Sequence, residues 1–130
     1  LVRATTSDAT NDRDDGSPSR PHRAAELAVA EAARWLATHF GQANPLAKAL
    51  QRSRLSGNHF RLVFKRQLGM SPQRYLAQVR MRAARFRLHE TQETVKEVAK
   101  HVGYADPFHF SRAYRAFWGQ SPANDRTYAP

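Results

Sequence analysis

The sequence contains no cysteine, which excludes a disulfide framework and any metal site built on thiolates. It has no apolar run long enough to cross a membrane as a helix, and no signal peptide is visible. Acidic residues are few: 11 Asp and Glu stand against 21 Lys and Arg, which gives a net charge of +10. Such an excess of positive charge favours an anionic partner.

Catalytic motifs are also missing. The sequence has no glycine-rich phosphate loop, no dinucleotide-binding glycine pattern and no His-Glu-x-x-His zinc motif. Its six histidines include no pair spaced as i and i+4, the spacing that would place two metal ligands on one helix face. We therefore expect no enzymatic activity, no cofactor and no metal.

The shortage of acidic residues is greatest in the middle of the chain. Between Glu31 and Glu90 there is no Asp or Glu. The same interval holds twelve cations: Arg34, Lys48, Arg52, Arg54, Arg61, Lys65, Arg66, Arg74, Arg80, Arg82, Arg85 and Arg87. A field of this kind attracts a polyanion such as nucleic acid, although a solvated basic surface is the plainer alternative. An anionic membrane surface fits less well, because it requires one long amphipathic helix with a wide apolar face.

One motif occurs twice in the chain, 50 residues apart. The shared pattern is His-Phe-x3-(Phe/Tyr)-(Lys/Arg)-x3-Gly-x-Ser-Pro, and it begins at His59 and again at His109. Its aromatic residues are spaced as i and i+4, which places them on one helix face. Gly69 and Gly119 stand where a helix would end in a left-handed residue. The Ser-Pro pair then starts another helix, with serine as N-cap and proline in the first turn.

A short apolar helix and a tight turn precede each copy of the motif. The first such helix is expected at 44–53, with Asn44 as its N-cap, and the second at about 94–103, opened by a capping box. Arg54 occupies the first turn at a position where positive φ is common, so we expect mild strain there. A helix, a short turn and a second helix with an apolar back and a polar front form a helix-turn-helix. The sequence therefore predicts two of these units.

The rest of the chain is arranged around the two units. Residues 1–22 are polar and are predicted to be a disordered linker, and residues 23–130 an all-α domain. Its units are expected at about 23–70, starting with a helix at 23–40, and at about 91–127, joined by a linker helix at about 71–90. The side chains expected to face the core from the linker helix and from the last long helix are Tyr75, Leu76, Val79, Ala83, Phe86 and Leu88, then Phe110, Ala113, Tyr114 and Phe117.

The second half of the chain resembles the signature of the AraC/XylS transcription regulators. The positions that carry the resemblance are Val95, Val98, Ala99, Val102, Gly103, Tyr104, Asp106, Pro107, Phe110, Ser111, Arg112, Tyr114, Gly119, Ser121 and Pro122. The resemblance covers about residues 24–127 and implies a seven-helix, homeodomain-like DNA-binding domain. Asn44-Pro45 and the Trp35 helix also resemble the subgroup with a PfpI/DJ-1-like N-terminal domain, although a cupin-like sensor is commoner. Together with the linker and the start at Leu1, this leads us to expect a missing N-terminal sensor or dimerisation domain.

The resemblance also implies which residues contact bases. These are Asn58, Arg61 and Leu62 in the first unit, and Pro107, Phe108, His109, Ser111 and Arg112 in the second. Arg61 and Arg112 are the strongest candidates, because arginine pairs bidentately with guanine, while Asn58 suits adenine. Phe108 could contact a thymine methyl group or belong to the core. Leu62 stands where the family often has arginine, which leaves the first unit one donor short.

Other cations are expected to hold the DNA backbone. The predicted phosphate contacts are Lys65, Arg66, Arg74 and Arg115. Such contacts position the protein without specifying sequence. Two departures from the family pattern concern packing instead: Arg54 replaces a turn glycine, and Arg87 replaces a leucine of the linker helix. We expect Phe86 to take over the packing of that leucine.

The sequence thus predicts sequence-specific binding of double-stranded DNA by two recognition helices in successive major grooves. We expect the DNA-binding part of a bacterial transcription regulator, cytoplasmic and nucleoid-associated, with RNA polymerase as a further partner and no membrane contact. The alternative is a non-specific binder of DNA or RNA, although aromatic residues at core spacing do not form the exposed platform on which single strands stack. A helical protein-interaction module is a third possibility that can coexist with the first.

Overall fold

The computed structural model describes residues 20–127, and within this range the chain forms seven α-helices. They are α1 (Arg20–His39), α2 (Pro45–Ser53), α3 (Gly57–Leu68), α4 (Pro72–Glu90), α5 (Val95–His101), α6 (Pro107–Trp118) and α7 (Pro122–Thr127). The all-α prediction is confirmed. α1 begins three residues before the predicted boundary at 23, and the remainder of the predicted linker lies outside the described residues. None of the seven helices is long and apolar enough to cross a membrane.

The first unit is a three-helix cluster of α1, α2 and α3. Its fully buried side chains include Val29 and Leu36 from α1, and Phe64 from α3. The aromatic pair of the repeated motif lies inside, with the rings of Phe60 and Phe64 5.5 Å apart. The opening turns of α4 close this core, because Tyr75 donates a hydrogen bond from its hydroxyl to the Ala33 carbonyl at 3.3 Å.

The second unit repeats this arrangement with α4, α5 and α6. Met81, Ala84 and Leu88 of α4 are buried at i, i+3 and i+7 spacing, and they pack against Phe110 and Tyr114 of α6. α7 closes this core as the start of α4 closes the first one.

The closing contact differs between the two units. In the first unit Tyr75 meets the ring of Phe64 edge-on, with the ring centroids 5.5 Å apart. The equivalent positions 50 residues later are Asp125 and Tyr114, and there the Tyr114 hydroxyl donates to the buried Asp125 carboxylate at 2.5 Å. The duplicated position is therefore filled by an aromatic contact in one unit and by a buried hydrogen bond in the other.

Helices begin directly after the predicted N-cap residues. Ser56, Ser71 and Asp106 each accept a hydrogen bond from a backbone N–H in the first turn of the helix that follows. Thr94 and Glu97 form both hydrogen bonds of the predicted capping box. Asn44 is an exception: it is the N-cap of α2 but has a left-handed backbone, with φ 49°, and its side chain makes no cap hydrogen bond.

The packing predicted for Phe86, Phe117 and Val79 needs correction. Phe86 is 67% exposed, because it lies about half a turn from the buried line of α4, and so it cannot replace the leucine lost at Arg87. Arg87 instead forms an ion pair in which its Nη1 donates to both carboxylate oxygens of Glu93, at 2.9 and 3.1 Å, and this pair ties the end of α4 to the segment before α5. Phe117 is 41% exposed rather than buried. Val79 is only half-buried, while the unpredicted Met81 and Ala84 fill the core.

Candidate nucleic-acid interface

The outward face of α3 carries the predicted readers of the first unit. Asn58, Arg61 and Leu62 are all exposed, and Leu62 keeps 59% of its surface open. The opposite face is buried through Phe60, Val63 and Phe64, so the helix has an apolar back and a polar front. Ser56 fixes its start by accepting a hydrogen bond from the His59 N–H at 3.2 Å.

Two of these readers contact each other. The Arg61 guanidinium donates a hydrogen bond from Nη2 to Asn58 Oδ1 at 2.7 Å. It also lies against the start of the helix, where a Cβ on Gly57 would come within 3.3 Å of Nη1. Arginine has five N–H donors, so several remain free to face a base edge. The sequence had suggested two independent readers, whereas the structure pairs them.

The outward face of α6 is less charged than that of α3. Phe108 is 75% exposed, which decides that it is a surface residue and not part of the core. His109 and Arg112 are also exposed, while Pro107 and Ser111 are half-buried. The predicted base readers of the second unit that are exposed are therefore an aromatic ring, an imidazole and one guanidinium.

Tyr104 supports the start of α6, and the sequence had not singled it out as part of the site. Its ring meets His109 edge-on with the centroids 5.3 Å apart, and it also contacts the buried Phe110 at 5.5 Å. Burial raises the pKa of the Tyr104 hydroxyl above its ordinary value of 10.0. The signal available in the sequence was the Gly103-Tyr104 pair, which we used only as part of the family resemblance.

The predicted phosphate contacts fall into two groups. Lys65 and Arg74 line one open concavity of about 470 Å³ at the N-terminus of α4, together with Gly69 and Ser71. The positive end of a helix and two cations make this a suitable place for a phosphate. Arg66 and Arg115 are exposed on α3 and α6 without lining that concavity.

Acidic groups do little to neutralise this surface. Glu93 is paired with Arg87, and Asp125 is buried. Glu97 is held in the capping box, where a hydrogen bond from the Thr94 backbone lowers its pKa. The field around α3 and the start of α4 thus remains positive.

Comparison with known proteins decides the family. A family model described as a helix-turn-helix domain matches residues 46–128, which is more than half of the chain. The chain belongs to the AraC family of helix-turn-helix domains. The activator RhaS of Klebsiella pneumoniae is 35% identical to this AraC-family chain over 92 residues, or 71% of the chain and 33% of RhaS. The chain spans a third or less of the length of the first curated relatives it matches.

Solved structures of AraC-family domains share the fold. The C-terminal domain of AraT, a response regulator from Geobacillus stearothermophilus, has a TM-score of 0.74 and 29% identity, covering 77% of this chain and 84% of its own. The DNA-binding domain of the global transcriptional factor AdpA, in complex with a target DNA, has a TM-score of 0.73 and 26% identity, covering 76% and 89%. The described helices are thus those of a DNA-binding domain of this family.

Proposed function

We propose that this AraC-family domain binds double-stranded DNA sequence-specifically, with α3 and α6 in successive major grooves. The observation that carries the proposal is the duplicated unit, in which each second helix is buried on one face and presents an arginine on the other. α4 has 19 residues and is therefore roughly 28 Å long. That length approaches one turn of B-DNA, about 34 Å, so the two helices can enter neighbouring grooves on one side of the duplex.

The proposed readers differ between the two grooves. In the first, Arg61 pairs with guanine, with Asn58 and Leu62 beside it. In the second, Arg112 is the guanine reader, and Phe108 lies where it can contact a thymine methyl group. The remaining proposed contacts to bases in the second groove are Pro107, His109 and Ser111.

The proposed phosphate contacts surround these readers. Lys65 and Arg74 hold one phosphate in the concavity at the start of α4, and Arg66 and Arg115 hold others. These contacts contribute affinity that falls with salt but do not discriminate between sequences. The domain acts by binding rather than catalysis. It works in the bacterial cytoplasm as part of a longer regulator that also has an N-terminal sensor or dimerisation domain. RNA polymerase is a further partner of that regulator.

The alternative is non-specific binding of DNA or RNA. The basic field supports it, but Phe60, Phe64, Phe110 and Tyr114 are buried and cannot stack on bases. The test is a selection from randomised duplexes with the full chain, followed by titration of the enriched sites across salt and against RNA. We expect one motif with two blocks about one helical turn apart.

Matched variants sharpen this test. Arg61→Ala and Arg112→Ala should each relax base preference in one block only. Arg82→Ala removes the same charge from an exposed position of α4 and should leave both preferences intact. Tight binding at low salt with no enriched motif would refute sequence specificity and support the alternative.

A further inference from the structure

The two units contact each other at a second place besides their shared helix α4. Phe40 and Gly41, the two residues that follow α1, lie against the turn after α5, at Gly103 and Tyr104. Phe40 packs against both hydrophobic cores. We call these four residues, together with Arg80 of α4, the inter-unit joint.

Arg80 connects the parts of this joint. Its Nε donates a hydrogen bond to the Phe40 carbonyl at 3.0 Å, which ties α4 to the end of α1. Its guanidinium also lies over the Tyr104 ring, 5.5 Å from the centroid. A single half-buried side chain therefore contacts both units.

The backbones in the joint approach closely. A Cβ on Gly41 would lie 2.6 Å from the His101 carbonyl oxygen, which is a backbone atom. A Cβ on Gly103, whose φ is already +99°, would lie 2.7 Å from Arg80 Nη2 and 3.0 Å from the Phe40 carbonyl oxygen. Glycine at both positions allows this approach, because no side chain separates Gly41 from His101 and the Arg80 guanidinium has room beside Gly103.

The joint continues into the second recognition helix. Tyr104, which lies under the Arg80 guanidinium, meets the exposed His109 edge-on at 5.3 Å. A single shared helix, α4, would not by itself prevent one unit from rotating relative to the other. The inter-unit joint is a second connection, away from the axis of α4, and it restricts this rotation.

We propose that the inter-unit joint, with Arg80 as its positioning residue, fixes the rotation of α3 relative to α6 and so sets the block spacing that the domain accepts in DNA. The inference rests on the proposed function. Each base pair added between the blocks rotates one of them by roughly 35° about the duplex axis. If α3 and α6 are held rigidly, the domain therefore accepts one spacing between the blocks. If they can rotate relative to each other, it accepts several.

Distances between the recognition helices test the joint without DNA. The chain has no cysteine, so Gln67→Cys and Ala116→Cys, at exposed positions of α3 and α6, accept one spin label each. We expect a narrow distance distribution, which broadens or shifts in Gly41→Ala and in Arg80→Lys. Lysine keeps the charge but lacks the planar guanidinium that reaches both contacts. Arg82→Ala is the control and should leave the distribution unchanged.

Spacing dependence then tests the consequence. The same proteins, without labels, are titrated with duplexes whose blocks are moved apart or together by one and two base pairs. We expect the wild type to lose about tenfold in affinity per base pair and the joint variants to lose much less, with binding to a single block unchanged.

Failure of the joint and failure of the proposed function are distinguishable. An unchanged distance distribution, or an unchanged spacing profile, in Gly41→Ala and Arg80→Lys overturns the joint. A wild type with no two-block preference overturns the proposed function instead. Should Gly41→Ala unfold, Arg80→Lys retains the test, because it adds no atom to the close backbone contact.

Discussion

Arg61 and Asn58 show how a single contact changes the role given to a residue. From the sequence, Asn58 is a candidate reader of adenine. In the structure its Oδ1 accepts a hydrogen bond from Arg61 at 2.7 Å, so it holds the guanidinium against the start of α3. We therefore expect Asn58 to act on DNA mainly through Arg61.

A double-mutant cycle distinguishes the two roles. If Asn58 positions Arg61, then Asn58→Ala and Arg61→Ala weaken preference at the same base pair, and the double variant loses little more than Arg61→Ala alone. Neighbouring residues in one network typically couple by about 0.5–3 kcal/mol. The measurement is the affinity of each variant for duplexes altered at one base pair at a time. Losses that add, at two different base pairs, would show that Asn58 reads its own base.

Asp125 is the buried charge of the second unit. It accepts from Tyr114 at 2.5 Å and lies 3.2 Å from His89 Nε2. Arg85 Nε is 3.3 Å away, an ion-pair contact without hydrogen-bond alignment. Burial alone would raise the pKa of Asp125, but the hydrogen bonds from Tyr114 and His89 and the charge of Arg85 outweigh it, and the pKa is lowered.

Stability should therefore depend on pH through Asp125. Because the folded pKa lies below the ordinary value of 3.8, the contribution of the carboxylate is complete well above that pH and is lost as pH falls below it. Asp125→Asn should lower the free energy of unfolding by about 1–3 kcal/mol at neutral pH, with a smaller deficit near pH 2. Urea unfolding across pH measures both. Asp106→Asn, which retains a good N-cap residue at an exposed position, is the control and should change little.

Tyr114 gives the opposite pH dependence on the alkaline side. Burial and the neighbouring Asp125 raise its pKa above the ordinary value of 10.0. The neutral hydroxyl thus contributes fully below that pH, and its contribution is lost as pH rises past it. Tyr114→Phe, which places in the second unit the residue found at Phe64 in the first, should flatten the alkaline limb of the stability profile. An alkaline limb that matches the wild type would show that another group causes it.

At the scale of single helices, much of the fold follows from local chemistry. Ser56, Ser71 and Asp106 mark helix starts because their side chains satisfy backbone N–H groups that have no partner within the helix. The prediction of which face of α4 is buried was wrong at Phe86. That helix serves two cores along its length, so its apolar residues follow no single stripe, and Phe86 was placed inside although it is exposed.

The glycines that end α3 and α6 should tolerate alanine at a modest cost in stability. Gly69 and Gly119 have φ of +79° and +85°, and an added Cβ at either would meet nothing within 4 Å. Alanine there should cost only the left-handed backbone, roughly 1–2 kcal/mol in the free energy of unfolding. Gly103→Ala should cost more, since its Cβ would also press on Arg80 Nη2 at 2.7 Å and on the Phe40 carbonyl oxygen at 3.0 Å.

Chemical denaturation of the three glycine variants ranks these costs. Gly57→Ala is the comparison at a helix start, because its nearest neighbour is the flexible end of Arg61. It should be close to neutral for stability. Equal costs at Gly103 and Gly69 would mean that the Arg80 side chain and the backbone at Phe40 both move aside freely.

At the scale of the whole molecule, the sequence predicted two units but not how they meet. The duplicated motif spans positions close in sequence, and its periodicity is visible. Arg80 and the Phe40 carbonyl are 40 residues apart in sequence, and neither residue type predicts such a contact. For the same reason the pairing of Asp125 with Tyr114 and His89 was not foreseen: tertiary contacts of single side chains leave no periodic trace.

Because Phe40 packs on both cores and α4 contributes to both, the two units should unfold together. Each unit holds one of the two tryptophans: Trp35 packs on the first core, and Trp118 packs on the second and donates its indole N–H to the Met81 carbonyl at 3.1 Å. Protein labelled with 5-fluorotryptophan should give two ¹⁹F signals that lose their folded positions at the same urea concentration, as a single cooperative transition requires. In Gly41→Ala the midpoints should separate, because the added Cβ loosens the contact between Gly41 and His101 while each core keeps its own side chains. Separate midpoints already in the wild type would mean that α4 and Phe40 do not couple the cores, and the two helix-turn-helix units would then be independent domains on one helix.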